Sequence, residues 1–300
     1  MWFKQAQLFQ LESKTSINAH ELEKQLERLS YTPCLPHLPV SQGWISPTDE
    51  EDILVYSTQN TFQNILLICL QIEEKLLPMT IVGQKVNERI KEIESIEARK
   101  ISNKERKFLK HEMYNKLLPQ AFGKQNRIYA FINIKNNWLI INTNNQKKTE
   151  KFAAFFKRST GNKINSLKMK KLSPILTDWL LNSNLPKTCN IEDACVFQDP
   201  NKQSRIIRIQ NQDLSANGIQ SLLKDGFEIS QLKLTWNDQV TFTLKNDFTL
   251  QSIQYQDRLL EPTTTNESNN TKADHFDTDF VLMSGILMQV LENLVDLLKE

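Results

Sequence analysis

Apolar positions recur along this chain at two spacings, near two residues and near 3.6, and the changes between them predict an α+β fold. Residues 2–11 (WFKQAQLFQL) alternate in part and read as a strand. Asn18 with Glu21 three residues on is a capping-box pattern, and it opens a helix through Leu22, Leu26 and Leu29. Pro33, Pro36, Pro39, Gly43 and Pro47 then make an irregular loop, in which Trp44 is read as a packed anchor ahead of an exposed stacking surface. Residues 54–72 predict a hairpin that turns near Gln59-Asn60 and returns as a buried strand over 62–72.

Val82, Val86, Ile90, Ile93 and Ile101 follow at mostly helical spacing, and Ser102 with Glu105 is a second capping box. One helix therefore stops there and another starts, carrying Phe108, Leu109, Met113 and Leu117 inward until Leu118-Pro119 ends it. Lys100, Lys104 and Lys107 fall at i, i+4 and i+7, with Arg106 and Lys110 beside them. The expected unit is a projecting helical pair, apolar on one side and cationic on the other. Residues 127–134 and 138–142 predict a hairpin around Lys135-Asn136-Asn137. Residues 147–159 predict a basic helix with Phe152, Phe155 and Phe156 on one face. Aromatics between lysines can stack bases, but this spacing is preferred as core.

Residues 174–181 read as a short helix, 196–198 and 205–210 as strands, and 215–224 as a helix closed by Gly226. Residues 227–236, 240–245 and 248–255 predict a three-stranded meander, 261–272 a polar linker and 280–298 an amphipathic helix. Strand, helix and hairpin near the start loosely recur as strand, helix and meander near the end, which hints at two similar lobes.

Charge changes the picture. Residues 84–171 hold 22 of the 37 Lys and Arg but only seven Glu, a balance of +15, so the rest of the chain sums to −13 for the net +2. Such separation concerns partners, since a positive region attracts polyanions. At 39% hydrophobic and 24% charged the chain reads as globular, with room for two ordinary domains or one elongated unit. Seven Gly and no GxGxxG or GxxxxGK[ST] argue against the common nucleotide loops. No apolar run reaches the roughly 18–20 residues of a membrane span. The first residues lack a signal-peptide pattern, so a cytoplasmic location without a membrane is expected.

Candidate chemistry is sparse. Cys34, Cys69, Cys189 and Cys195 form no CxxC pair, and Cys69 reads as a small core residue. His20, His37, His111 and His275 are scattered, without HExxH. Asp274-His275-Phe276-Asp277-Thr278-Asp279 is the best candidate for a metal or acid–base cluster, and it is preferred as the N-terminal cap of the last helix. No G-x-S-x-G is present. The expectation is a protein that is not an enzyme and uses no metal or cofactor.

Several segments, in order, resemble the RdgC family, the recombination-associated DNA-binding proteins of bacteria. They are Trp2-Phe3-Lys4, residues 22–26 (LEKQL), Thr32-Pro33-Cys34, Gly43-Trp44 with Pro47 and residues 74–78 (EKLLP). Residues 97–100 (EARK), 117–122 (LLPQAF), 176–179 (LTDW), Gln212-Asp213-Leu214 and 276–285 (FDTDFVLMSG) complete the set.

The resemblance implies an elongated, horseshoe-shaped α+β protomer with sheet-containing lobes. Two protomers would close into a ring-shaped homodimer around duplex DNA, with single-stranded DNA left open as a further ligand. It implies nucleoid association and restraint of RecA in homologous recombination. It also implies that Phe122 forms one dimer contact and the pair Asn211-Gln212 the other, where the family carries Lys-Gln. The chain is expected to be one unit, 1–300, with approximate lobes 1–77, 78–127, 128–182 and 183–300. Arg99, Lys100, Lys104, Arg106, Lys107, Lys110, Lys116, Lys124 and Arg127 are the candidate DNA contacts, made to phosphates without base reading. The alternative is a protein-interaction module whose basic helices dock an acidic partner.

Overall fold

A computed structural model describes residues 1–12, 17–48, 53–58, 64–202, 204–257 and 272–298. The expected turn at Gln59-Asn60, the start of the following strand and the linker through residue 271 lie outside the described residues.

Twelve strands form one sheet. In chain order they are β1 (Gln5–Glu12), β2 (Val40–Ile45), β3 (Tyr56–Ser57), β4 (Ile65–Lys75), β5 (Gly123–Asn133), β6 (Trp138–Ile141), β7 (Lys163–Ser166), β8 (Cys189–Gln198), β9 (Ile206–Ile209), β10 (Glu228–Trp236), β11 (Val240–Lys245) and β12 (Thr249–Tyr255). The order across the sheet is β2-β4-β5-β6-β1-β12-β11-β10-β8-β9, with β3 beside β4 and β7 beside β1. These strand pairs are antiparallel. Seven α-helices accompany the sheet among the described residues: α1 (Ala19–Glu27), α2 (Met79–Glu97), α3 (Asn103–Leu117), α4 (Gln146–Thr160), α5 (Leu172–Asn182), α6 (Asn217–Lys224) and α7 (Lys272–Leu298).

The continuous apolar run of β4 is buried on both faces, as a strand covered from both sides must be. Leu66, Ile68, Leu70 and Ile72 pack with Leu22 and Leu26 of α1, Trp44, and Phe152, Phe155 and Phe156 of α4. Trp44 is a core anchor: it meets all three phenylalanines at centroid distances of 5.6–6.4 Å, and its indole N–H donates to Ser159 Oγ at 2.8 Å. Ile65 and Leu67 point the other way, into a larger core with Phe3, Phe131, the meander β10–β12 and α7. Burial pushes the Cys69 thiol up to about 12, which fits a packing role.

Helix α7 contributes Phe280, Met283, Leu287, Val290, Leu291, Leu294 and Leu298 to that core. By length and composition His275–Leu298 could cross a bilayer, a segment that counting unbroken apolar runs passes over; half of the window is buried inside the fold. The Asp-rich segment does not sit ahead of the helix as a cap, because the helix already begins at Lys272. The Tyr56 hydroxyl donates to Asp277, and Asp279 Oδ2 holds the N-terminal ammonium at 3.1 Å. Those carboxylates fasten β3 and the chain start to α7.

The two halves of the sheet meet where β1 pairs with β12, Gln5 opposite Gln251. Gln7 is buried there, its amide donating to Thr249 Oγ1 and accepting from the Thr149 hydroxyl. A buried amide satisfied from both sides favours one register, because a shifted strand would orphan it.

Candidate nucleic-acid interface

Helices α2 and α3 are inserted between β4 and β5, whose ends pair as Lys75 opposite Gly123. The sheet needs no side chain from most of this insertion. Only Val82 and Val86 of α2 are buried, and no residue of α3 is. Ile90, Ile93, Leu109, Met113 and Leu117 are half-buried between the two helices. At 1.5 Å per residue the 19-residue α2 reaches about 28 Å.

The connection is held by local charge chemistry. Ala98 turns the chain in the left-handed region, at φ 50°. The Ser102–Glu105 capping box is formed in both directions. Arg99 pairs with Glu97 at 2.6 Å and Glu105 at 2.8 Å, and the two carboxylates keep its guanidinium protonated. The same Arg99 contact, helped by the Ser102 N–H, lowers Glu105 to about 2. Glu94 accepts the Ile101 N–H at 3.0 Å.

The two sides of the hairpin differ in charge. One groove, of about 490 Å³, is lined by Gly83, Val86, Asn87, Asn103, Arg106, Lys107 and Lys110. No Asp or Glu among the described residues lines it, so it carries three positive charges. Arg106 is aimed by a 2.6 Å hydrogen bond to Asn87 Oδ1. The opposite groove, of about 600 Å³, has Lys85, Arg89 and Lys116 against Glu88, Glu92 and Glu112. Lys85–Glu88 and Arg89–Glu92 are ion pairs there, each at 2.8 Å, so the side neutralises itself.

The predicted DNA contacts thus separate into groups. Arg106, Lys107 and Lys110 come together in the cationic groove, and Lys104 lies exposed in the first turn of the same helix. Lys100 is exposed but lies in the connector before α3, because Ser102 caps the helix after it; it cannot share a helical face with Lys104. Arg99 is engaged by two glutamates, and Lys116 lines the mixed groove. Lys124 and Arg127 lie on β5 at the hairpin's root, Lys124 opposite Glu74 and Arg127 donating to Gln71 Oε1 at 3.3 Å. Phe108 does not face inward: it is 69% exposed, one residue and about 100° away from the stripe of Leu109 and Met113. Sequence reasoning missed Asn87 and Asn103 as groove residues and the acids that silence Lys85 and Arg89. Glu three residues after each cation was the available signal.

The candidate dimer contacts lie in opposite halves of the sheet. Phe122 is 85% exposed just before β5, and its carbonyl accepts the Leu76 N–H at 2.8 Å. Leu38 and Leu76, 45% and 54% exposed, continue this apolar edge across the ends of β2 and β4. Asn211, at φ 53°, and Gln212 follow β9 at the far side of the sheet. They line a cleft of about 720 Å³ with Leu180, Leu181, Ile191, Leu214, Glu192, Asp193 and Asp213.

Comparison with known proteins places this geometry in context. A family model described as "Putative exonuclease, RdgC" matches residues 1–300. The recombination-associated protein RdgC of Yersinia enterocolitica is 29% identical over 301 residues, covering 99% of this chain and 98% of the relative. Proteins of the same name from Yersinia pestis and Yersinia pseudotuberculosis are 28% identical over 303 residues, with the same coverage. This chain belongs to the RdgC family, whose bacterial relatives carry the name recombination-associated protein.

Proposed function

We propose that the chain binds DNA, mainly duplex, without sequence preference, and encircles it as a ring-shaped homodimer that limits RecA access during recombination. The observation that carries this reading is the groove of Arg106, Lys107 and Lys110, free of carboxylates among the described residues, on a hairpin the core does not need. Lysine-rich cation sets suit point contact with phosphates better than bidentate reading of guanine. The ring is supported by two exposed candidate contacts in opposite halves of one sheet, Phe122 and Asn211-Gln212. Asn211 brings no charge to the second contact. The reading includes association with the nucleoid in the cytoplasm, without a membrane, and the recombination-associated name of the relatives supports it.

The test is a salt series on unrelated duplexes. Log K against log[salt] should slope at about −4 or steeper, since each neutralised phosphate contributes about −0.9. A slope near zero would favour a module that docks an acidic protein, and preference for one sequence would remove the sequence-independent reading. The family description raises an exonuclease, and incubation of end-labelled linear DNA with Mg²⁺ tests it.

A further inference from the structure

Phe108 is the large apolar side chain that α3 leaves most exposed, and the fold covers little of it. It is 69% exposed, whereas Leu109, Met113 and Leu117 turn toward α2. Phenylalanine is a poorer helix former than lysine, alanine or leucine, so an unpacked Phe here does not serve the helix. Two cations flank it: Lys104 lies one turn before it and Lys107 is adjacent. Of the two acids at helical spacing, Glu105 is already held by Arg99, and Glu112 belongs to the mixed groove. The ring therefore stands in water beside Lys104 and Lys107, which attract phosphate.

We propose that Phe108 is a base-stacking residue, giving the hairpin added affinity for unpaired nucleobases in single-stranded or opened DNA. This rests on the DNA-binding reading above and goes beyond it. A strand drawn to Lys104 and Lys107 by its phosphates brings its bases within reach of an aromatic face, and every base offers a π surface to stack on it. In an intact duplex the bases stack on one another, and Phe108 could reach them only by unstacking a step. Phe108 therefore acts on single strands, while the cations act on both forms.

The test compares the full-length wild type with Phe108→Ala and Phe108→Trp on a mixed-sequence single strand containing 2-aminopurine and on its duplex. Phe108→Ala should bind the single strand roughly tenfold more weakly, the loss of about one base stack. It should lose the 2-aminopurine fluorescence change while duplex affinity stays within about twofold, and Phe108→Trp should keep both. Because Phe108 is not buried, the alanine variant should unfold at the wild-type midpoint. Unchanged single-strand affinity overturns the proposal, and so does equal weakening on both probes. A changed oligomeric state by sedimentation with no loss selective for single strands also overturns it, assigning Phe108 to a protein contact. Wild type that binds neither probe overturns the DNA-binding reading itself.

Discussion

Helices α3 and α4 are each 15 residues long, and each carries five Lys or Arg together with phenylalanine. Their fates are opposite. In α4, Phe152, Phe155 and Phe156 at i, i+3 and i+4 make a stripe that seals against β4 and Trp44. Its cations become the rim of a core helix: Arg158 lies over the Phe155 ring at 5.8 Å, and Lys151 pairs with Glu74 at 2.5 Å. In α3 the apolar stripe meets only another helix, no residue is buried, and Phe108 falls outside the stripe. Basic composition and aromatics alone do not mark an interface. What sets the proposed interface apart is a helix whose Lys107, Lys110 and Phe108 the core leaves at the surface.

The largest expected effect tests the α4 side. Phe156→Ala removes a fully buried ring from a packed core and should cost about 3–5 kcal/mol of stability. Phe108→Ala, on the exposed side, should stay within about 0.5 kcal/mol. Denaturant unfolding of both variants decides this, and similar losses would break the comparison.

Charge reversal follows. Lys107→Glu with Lys110→Glu should lower duplex affinity by more than about tenfold and make the salt slope about two units shallower. The unfolding midpoint should hardly move, because exposed charges cost little. The same reversals at Lys147 and Lys148 should do less; if they do more, the DNA surface is α4.

Phe122 is also an exposed aromatic, but it continues an apolar edge with Leu38 and Leu76, so its removal should act on closure and not on phosphate contact. Burying it against a second copy is worth roughly 1.5–3 kcal/mol per protomer, and a two-fold contact feels Phe122→Ala from both chains. The variant should be lost from closed circular DNA in a high-salt wash that the wild type survives. Equal retention or equal loss would show that Phe122 closes no ring.

The smallest effect is at the hairpin's tip. The Glu105 carboxyl is depressed to about 2 by Arg99 and Ser102. Its contribution is therefore present above the ordinary Glu value of about 4.3 and is lost as pH falls through about 2. An NMR titration should find Glu105 still ionised at pH 3, and a midpoint near the ordinary value would mean the tip is not latched.

Much of the fold was legible locally. The meander over β10–β12, the hairpin of β5 and β6 and both caps, at Asn18 and Ser102, follow from alternation, turn residues and capping spacing. The site was legible as a region and less so by residue. Lys107 and Lys110 were found from their spacing, but Phe108 was assigned inward because neighbouring apolar residues on a helix look alike until the partner helix selects one stripe. Lys100 was drawn into the helical face because an i, i+4 count does not see that Ser102 starts a new helix.

By itself the sequence determined most strands and helices and where positive charge accumulates, although the stretch read as an irregular loop holds β2 and the short strand β7 was passed over. Periodicity and charge reside in neighbouring residues and survive without a fold. Only the tertiary structure decided that one sheet runs from β2 to β9 through the β1–β12 seam, where Gln7 meets Thr249 across 242 positions of chain. It also decided which cations remain available, since Arg99 and Lys151 are answered by glutamates while Lys107 and Lys110 line a groove without them among the described residues. Those outcomes depend on which distant groups come within a few ångströms, and no local pattern encodes that distance.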